Sequence, residues 1–397
     1  MKQDTKAQNF VFVLFYFLLF FGFGSLFPLL TVYLKEYVGL SGTEVGVIMS
    51  ISPVVTLLIQ PLWGMISDYT QKPKVILVVS LLLSAIVGLA YSVGIGYWYI
   101  FIVATILAIT LSAIVPISDS IALNYVQKVK GDYGSLRLWG AVGFAISVII
   151  GGKLAEIFHM NVIFYLFSGL LLSTAFLAWK LPNESQPIKV DLTNGLSMLF
   201  KMKRFVIFLI ITFCIFGPIY ANNFYFGLFI TDLGGTLTGV GIAFLIGAGS
   251  EAPFMRIAGN WIARFGMLRI LLIATIVLGL RWLVYFFEPP LVIVYITTIA
   301  QGFSVGMFIP AALQYVRELA PADVRVTAVS LYSAVGNGLG TLFCTMLSGI
   351  IIDYFSTGYV YLFYFTLSAL GLILLFILQK LETQEKKGSG ILLREQE

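Results

Sequence analysis

Gly64-Met65-Ile66-Ser67-Asp68-Tyr69-Thr70-Gln71-Lys72-Pro73-Lys74 is the stretch that decides the fold. Its frame returns at Gly259-Asn260-Trp261-Ile262-Ala263-Arg264-Phe265-Gly266-Met267-Leu268-Arg269. In each copy a glycine is followed ten residues later by a basic residue, and long apolar runs stand on both sides. A short polar connection that recurs between apolar segments signals internal duplication, which is sought before a fold is named.

The apolar runs set the class. Hydrophobic residues make up 59% of the 397 residues and charged residues 11%, where a soluble domain carries about a quarter charged. Backbone in hydrocarbon must satisfy its own polar groups, so long apolar runs of this length read as spanning helices. Twelve are expected, at 10–34, 44–66, 74–94, 97–126, 134–157, 159–180, 204–230, 237–263, 267–287, 290–316, 326–352 and 357–379. The first is too long for a signal-peptide core and reads as a retained helix. The long polar connection 181–203, with Pro182 and Pro187, divides the chain into halves at 1–180 and 204–380, and a polar tail at 381–397 is expected to be unstructured.

Basic residues orient the chain. With the N-terminus on the cytoplasmic side, nineteen Lys and Arg fall in inside segments, while Lys35 and Lys153 alone fall outside. Both termini are therefore expected on the cytoplasmic face of a cell membrane. The net charge of +5 follows from this alternation and implies no nucleic-acid partner. Cys214 and Cys344 lie inside apolar segments and read as small core residues, with neither a disulfide nor a metal site implied. His159, the single histidine, falls at a loop edge.

Helices 5 and 11 also correspond, Gly143 and Gly152 matching Gly340 and Gly349 at one offset. Two duplicated six-helix halves are the layout of a secondary transporter, with its site between them near the bilayer midplane. On these residues the chain resembles the major facilitator superfamily. Gly64, Asp68, Lys72 and Lys74 match the family's cytoplasmic motif, although Tyr69 stands where arginine is usual and Gln71 where glycine is usual. The second copy keeps Gly259, Arg264 and Gly266 but has Ala263 in place of the acid. The resemblance implies that these residues form a gating motif, with Asp68 in a charge network that steadies the outward-open state.

Tyr133-Gly134-Ser135-Leu136-Arg137-Leu138-Trp139-Gly140 resembles the helix-5 stretch of the oligosaccharide–proton and nucleoside–proton symporters. Asp119 precedes Arg137 by eighteen residues, the interval at which lactose-type members place a helix-4 acid. Glu251 on helix 8 and Arg281 on helix 9 look like the family's midmembrane glutamate and following arginine. Those members also carry a histidine and a glutamate on helix 10; here the stretch reads Ala300-Gln301-Gly302-Phe303-Ser304. If protons are coupled, Glu251 or Asp119 must carry them.

Elementary chemistry supports a polar solute site. A charge in hydrocarbon costs about 2.5–3.5 kcal/mol by insertion scales and is retained for a partner or a solute. Arg137 offers a planar fork of donors and Asp119 offers acceptors; together they could equally form a structural ion pair. A carboxyl in low dielectric favours its neutral form, which makes Glu251 a proton carrier through its pairing with Arg281 or Arg256. Asn222 and Asn223 on helix 7, Gln301 and Gln314 on helix 10, and the rings of Phe15, Tyr16, Trp139, Phe144 and Tyr220 are further solute ligands or packing groups. Gly22, Gly24 and Pro28 are expected to break helix 1, Pro53 and Pro61 helix 2, and Pro310 helix 10.

The expectation is an all-α membrane transporter acting as a monomer without a cofactor, importing a sugar or nucleoside with protons. Efflux of amphipathic compounds is the alternative, although the glycine–proline pattern of antiporters is missing from Gly140 to Gly152. An enzyme or receptor is disfavoured, since no nucleophile with a base, ligand cluster or phosphate loop stands out. A channel is disfavoured because the charges occur in single copies rather than rings.

Overall fold

The computed structural model describes residues 2–182, 198–321 and 324–394; the side chains of 2–5, 68, 326 and 385–394 lie outside the described set. Helices α1 (Lys2–Val32), α3 (Pro73–Ala90), α4 (Tyr97–Val129), α5 (Tyr133–Ile157) and α6 (Val162–Ala178) belong to the first half. Its α2 comes in two pieces, Gly42–Leu58 and Gln60–Thr70. The second half holds α7 (Lys203–Asp232), α8 (Leu237–Phe265), α9 (Met267–Phe286), α10 (Leu291–Leu319) and α12 (Thr357–Arg394). Its α11 runs through Arg325–Ser333, a π-helical stretch Ala334–Gly340, and Thr341–Tyr354. Ten of these helices are long and apolar enough to span a bilayer, α2 is an eleventh if its bent pieces form one span, and α6 is a seventeen-residue apolar helix.

Duplication is visible in the packing. α1 lies against α5 and α6, α2 against α4, and α3 against α4 and α6. Six helices on, α7 lies against α11 and α12, α8 against α10, and α9 against α10 and α12. The halves meet through α2 with α11, α5 with α8, and α1 with α7. The repeated loop also repeats a positive φ: Gln71 and Gly266, both seven residues after their motif glycine, have φ of 53° and 85°. Gln71 is left-handed helical with ψ 29° and Gly266 is extended with ψ 152°; each ends a helix, and the positive φ explains why glycine is the usual residue where Gln71 stands.

The halves are sealed at the face opposite the chain termini. There Gly349 meets Gly42 and Gly46, while Gly152 meets Leu237 and Gly241 meets Ile149. Small residues allow such backbone approach between helices. Each closure is capped by a carboxylate. Glu156, at the end of α5, accepts from Thr238 N at 2.7 Å and Thr238 Oγ1 at 2.8 Å. Asp353, at the end of α11, accepts from Thr43 N at 2.7 Å and from Gly42 N, with Lys35 Nζ at 3.7 Å. At the terminus-bearing face the helices diverge: Gln60–Thr70 packs on α3 and α4, and Arg325–Ser333 on α7 and α10.

Four local expectations change. α1 runs as one helix through Gly22, Gly24 and Pro28. Gly24 serves packing instead, since a Cβ there would meet the backbone of Phe144 and the side chain of Ser147. α10 likewise continues through Pro310. α2 continues through Pro53 but bends by 40° at Ile59, two residues before Pro61, whose ring cannot supply the helical N–H. The tail expected to be unstructured from 381 is helical to Arg394, because α12 simply continues past the apolar span.

Candidate functional site

Between the halves lies a central chamber of about 440 Å³. Both halves supply its wall: Ser52 and Thr56 from α2, Phe144 from α5, Tyr220, Asn223 and Phe224 from α7, Glu251 from α8, Gln301 from α10, and Asn337 from α11. A lower chamber of about 560 Å³ continues toward the terminus-bearing face and shares Thr56 and Asn337 with the first. A side recess of about 360 Å³, lined by Asp119, shares Phe27, Ser52 and Thr56. Mostly apolar walls with a few convergent polar groups are what a small-solute site presents.

The sequence-derived residues separate into three groups. Glu251, Asn223 and Gln301 face the central chamber together. Gln301 Oε1 is buried with no hydrogen-bond partner among the described residues, an acceptor left open on the chamber wall. Among the described residues no ion pair joins Glu251 to Arg281 or Arg256. Phe144 and Phe244, from opposite halves, meet edge to face at 6.2 Å in the same wall.

Asp119 and Arg137 form a second group beside the chamber. The Arg137 Nε lies 3.8 Å from Asp119 Oδ1, which also accepts from Tyr16 Oη at 2.7 Å. The guanidinium stacks on Phe20 at 4.0 Å from the ring centre. A planar cation held against a ring face, with a carboxylate at its edge, is fixed in direction as well as charge. Asp119 reaches the side recess, whereas Arg137 is directed into the α1–α4–α5 contact.

The third group points elsewhere. Asn222 is fully buried and accepts from Tyr361 Oη at 3.2 Å, so it ties α7 to α12. Trp139 is 44% exposed and lies outside the chamber lining. Arg281 is 2% exposed, donates through Nε to Tyr285 Oη at 3.2 Å, and sits 4.6 Å and 4.5 Å from the rings of Trp282 and Tyr285. Its Nη1 and Nη2 have no partner among the described residues. Phe226 lies 5.4 Å from the guanidinium and also lines the chamber, so this ring stands between Arg281 and the solute space.

In the repeated loop, Lys74 Nζ donates to the carbonyl of Leu181 at 3.1 Å, binding the end of α6 to the start of α3. Gly64 borders the lower chamber and has open space where a Cβ would stand, as does Gly259. Lys72 and Arg264 are exposed. The Asp68 side chain lies outside the described residues.

Sequence reasoning missed Tyr16 as the partner of Asp119, Thr56 as the residue common to all three cavities, and Asn337. An amide flanked by two glycines in an apolar run, Gly336-Asn337-Gly338, was the available signal for the last.

Residues 11–363 match the MFS_1 like family. Among curated proteins, the chain is 50% identical to a maltose permease of Geobacillus stearothermophilus, covering 96% of this chain and 97% of that protein. It is 43% identical to the uncharacterized transporter YwbF of Bacillus subtilis, covering 93% and 92%. Among solved structures it superposes on the nucleoside transporter NupG with a TM-score of 0.83 at 18% identity, over 94% of this chain and 99% of that one. A family match over most of its length, borne by the duplicated bundle, makes the protein a secondary transporter of the MFS_1 like family, and not an enzyme.

Proposed function

We propose that the protein imports a neutral sugar of the maltose class by proton-coupled alternating access, as a monomer in the cell membrane with both termini cytoplasmic. The connection 181–203 then joins the halves on the inner side, and the state described above is open inward. The observation that carries this reading is the chemistry of the central chamber. Amides of Asn223, Gln301 and Asn337 and the hydroxyl of Tyr220 converge there, and Glu251 is the one charged residue among the described lining. Sugar hydroxyls exchange water for such fixed donors and acceptors, and sugar faces pack on rings. An anionic solute would meet a carboxylate instead. The half-identical maltose permease supports the same choice.

Glu251 carries the proton in this reading. It is the one carboxyl among the described residues of the chamber lining, and no cation is paired with it among the described residues. Binding of a proton and a sugar together leaves the chamber neutral and able to close. The nucleoside reading draws on the aromatic wall of Phe144, Phe224 and Phe244, which suits a base. Efflux is less well supported, since a curated relative 50% identical over nearly its whole length is a permease for a sugar.

Uptake of labelled maltose, glucose and uridine into energised membrane vesicles, with and without a protonophore, tests the proposal. Protonophore-sensitive accumulation of maltose is expected. Accumulation of uridine alone would replace the sugar with a nucleoside, and accumulation unaffected by the protonophore would remove the proton.

A further inference from the structure

The lower chamber has a lining unlike that of the central one. Gln60, Ser67, Ser120, Ser330, Ser333 and Asn337 give it hydroxyls and amides from α2, α4 and α11, and no described lining residue is charged. It is therefore poor at holding an ion and well suited to a solute with many neutral hydroxyls.

Asn337 lies where this chamber joins the central one. Its side chain is exposed and lines both cavities. Its position follows from the π-helical stretch Ala334–Gly340, a geometry that inserts a residue into the helical turn and is found at functional sites. Glycines hold that stretch in place. A Cβ on Gly340 would come within 3.0 Å of the Phe213 carbonyl and 3.1 Å of Gly217 Cα, fixing α11 to α7. Gly338 packs on Leu57 of α2, in the other half. Asn337 is thus presented between two anchored turns. At the equivalent place in the first half, α5 is an ordinary helix and has Gly140.

We infer that the lower chamber is a second sugar subsite: one glycosyl unit occupies the central chamber, the next occupies the lower one, and Asn337 and Thr56 meet the linkage between them. This rests on the sugar reading above and adds selection for chain length, because a single ring can fill only the central subsite. The two chambers, at about 440 and 560 Å³, each lie within the range for a small-ligand pocket.

Equilibrium binding of glucose, maltose and maltotriose to the purified full-length protein tests the inference, with Ser67→Ala and Ser330→Ala/Ser333→Ala as variants, since these serines line the lower chamber and not the central one. Loss of hydrogen bonds to the second unit is expected to weaken maltose and maltotriose about tenfold while glucose changes less than about twofold. Retained glucose binding shows that each variant is folded. Equal weakening of all three sugars, or no weakening of any, would overturn the second subsite while leaving the sugar reading intact. Failure of the unmodified protein to bind any of the three would overturn both.

Discussion

Glu156 and Asp353 stand 197 residues apart, the offset that relates Gly143 to Gly340 and Gly152 to Gly349, and each caps the first turn of a helix in the opposite half. Their partners, Thr238 and Thr43, are 195 residues apart, the offset of the repeated loop. One duplicated contact therefore occurs twice across the molecular two-fold. A carboxylate at a helix N-terminus accepts otherwise orphaned N–H groups and lies at the positive end of the helix dipole. Each cap favours the state sealed at this face.

Glu156→Ala with Asp353→Ala should therefore shift the protein toward the state open at that face. Each lost cap is worth about 1 kcal/mol. Spin labels replacing Val93 and Phe287, exposed residues of equivalent loops in the two halves, would report a larger population at long distance. An unchanged distance distribution would show that the glycine contacts seal this face unaided.

The Asp119–Arg137 pair separates structural from transport roles. Arg137→Gln leaves Asp119 with Tyr16 as a partner but without its cation. Both side chains retain some exposure, 33% for Arg137 and 25% for Asp119, so the stability loss should be about 1 kcal/mol, well below that of a dry pair. Adding Asp119→Asn should restore the melting temperature, since no lone charge remains, and should not restore uptake. Recovery of uptake by the double variant would confine the pair to packing.

Gly266 predicts a backbone effect. At φ 85° and ψ 152° it occupies a region essentially closed to residues with a Cβ. Gly266→Val should lower the melting temperature, with a cost of about 1–3 kcal/mol. Open space surrounds the site, so steric crowding cannot cause the loss. No shift would mean that the α8–α9 bend relaxes freely.

The fold was legible because bilayer physics leaves few options. Apolar runs, alternating basic loops and the Gly64 and Gly259 repeat each constrain helices one at a time, and the pairwise packing repeats as duplication demands. Side-chain direction was less legible. Asn222 and Asn223 are neighbours on one helix, yet one is tied to Tyr361 and the other faces the chamber. A turn of about 100° per residue separates them, and only the packing of α7 decides which points inward. Arg281 was read from its charge as a partner for Glu251, whereas the rings of Phe226, Trp282 and Tyr285 enclose it. Such cages combine residues from distant segments and leave no local pattern. The π-helical turn under Asn337 was hidden for the same reason, since it depends on the fit of three glycines to α2 and α7.

The most direct test is the proton flux that accompanies sugar, measured as the external pH change when maltose is added to lightly buffered, de-energised cells carrying the protein or its Glu251→Gln variant. Transient alkalinisation is predicted with the unmodified protein. With Glu251→Gln it should vanish, while exchange of labelled maltose across the membrane persists. Alkalinisation of undiminished size in the variant would contradict the assignment of the proton to Glu251.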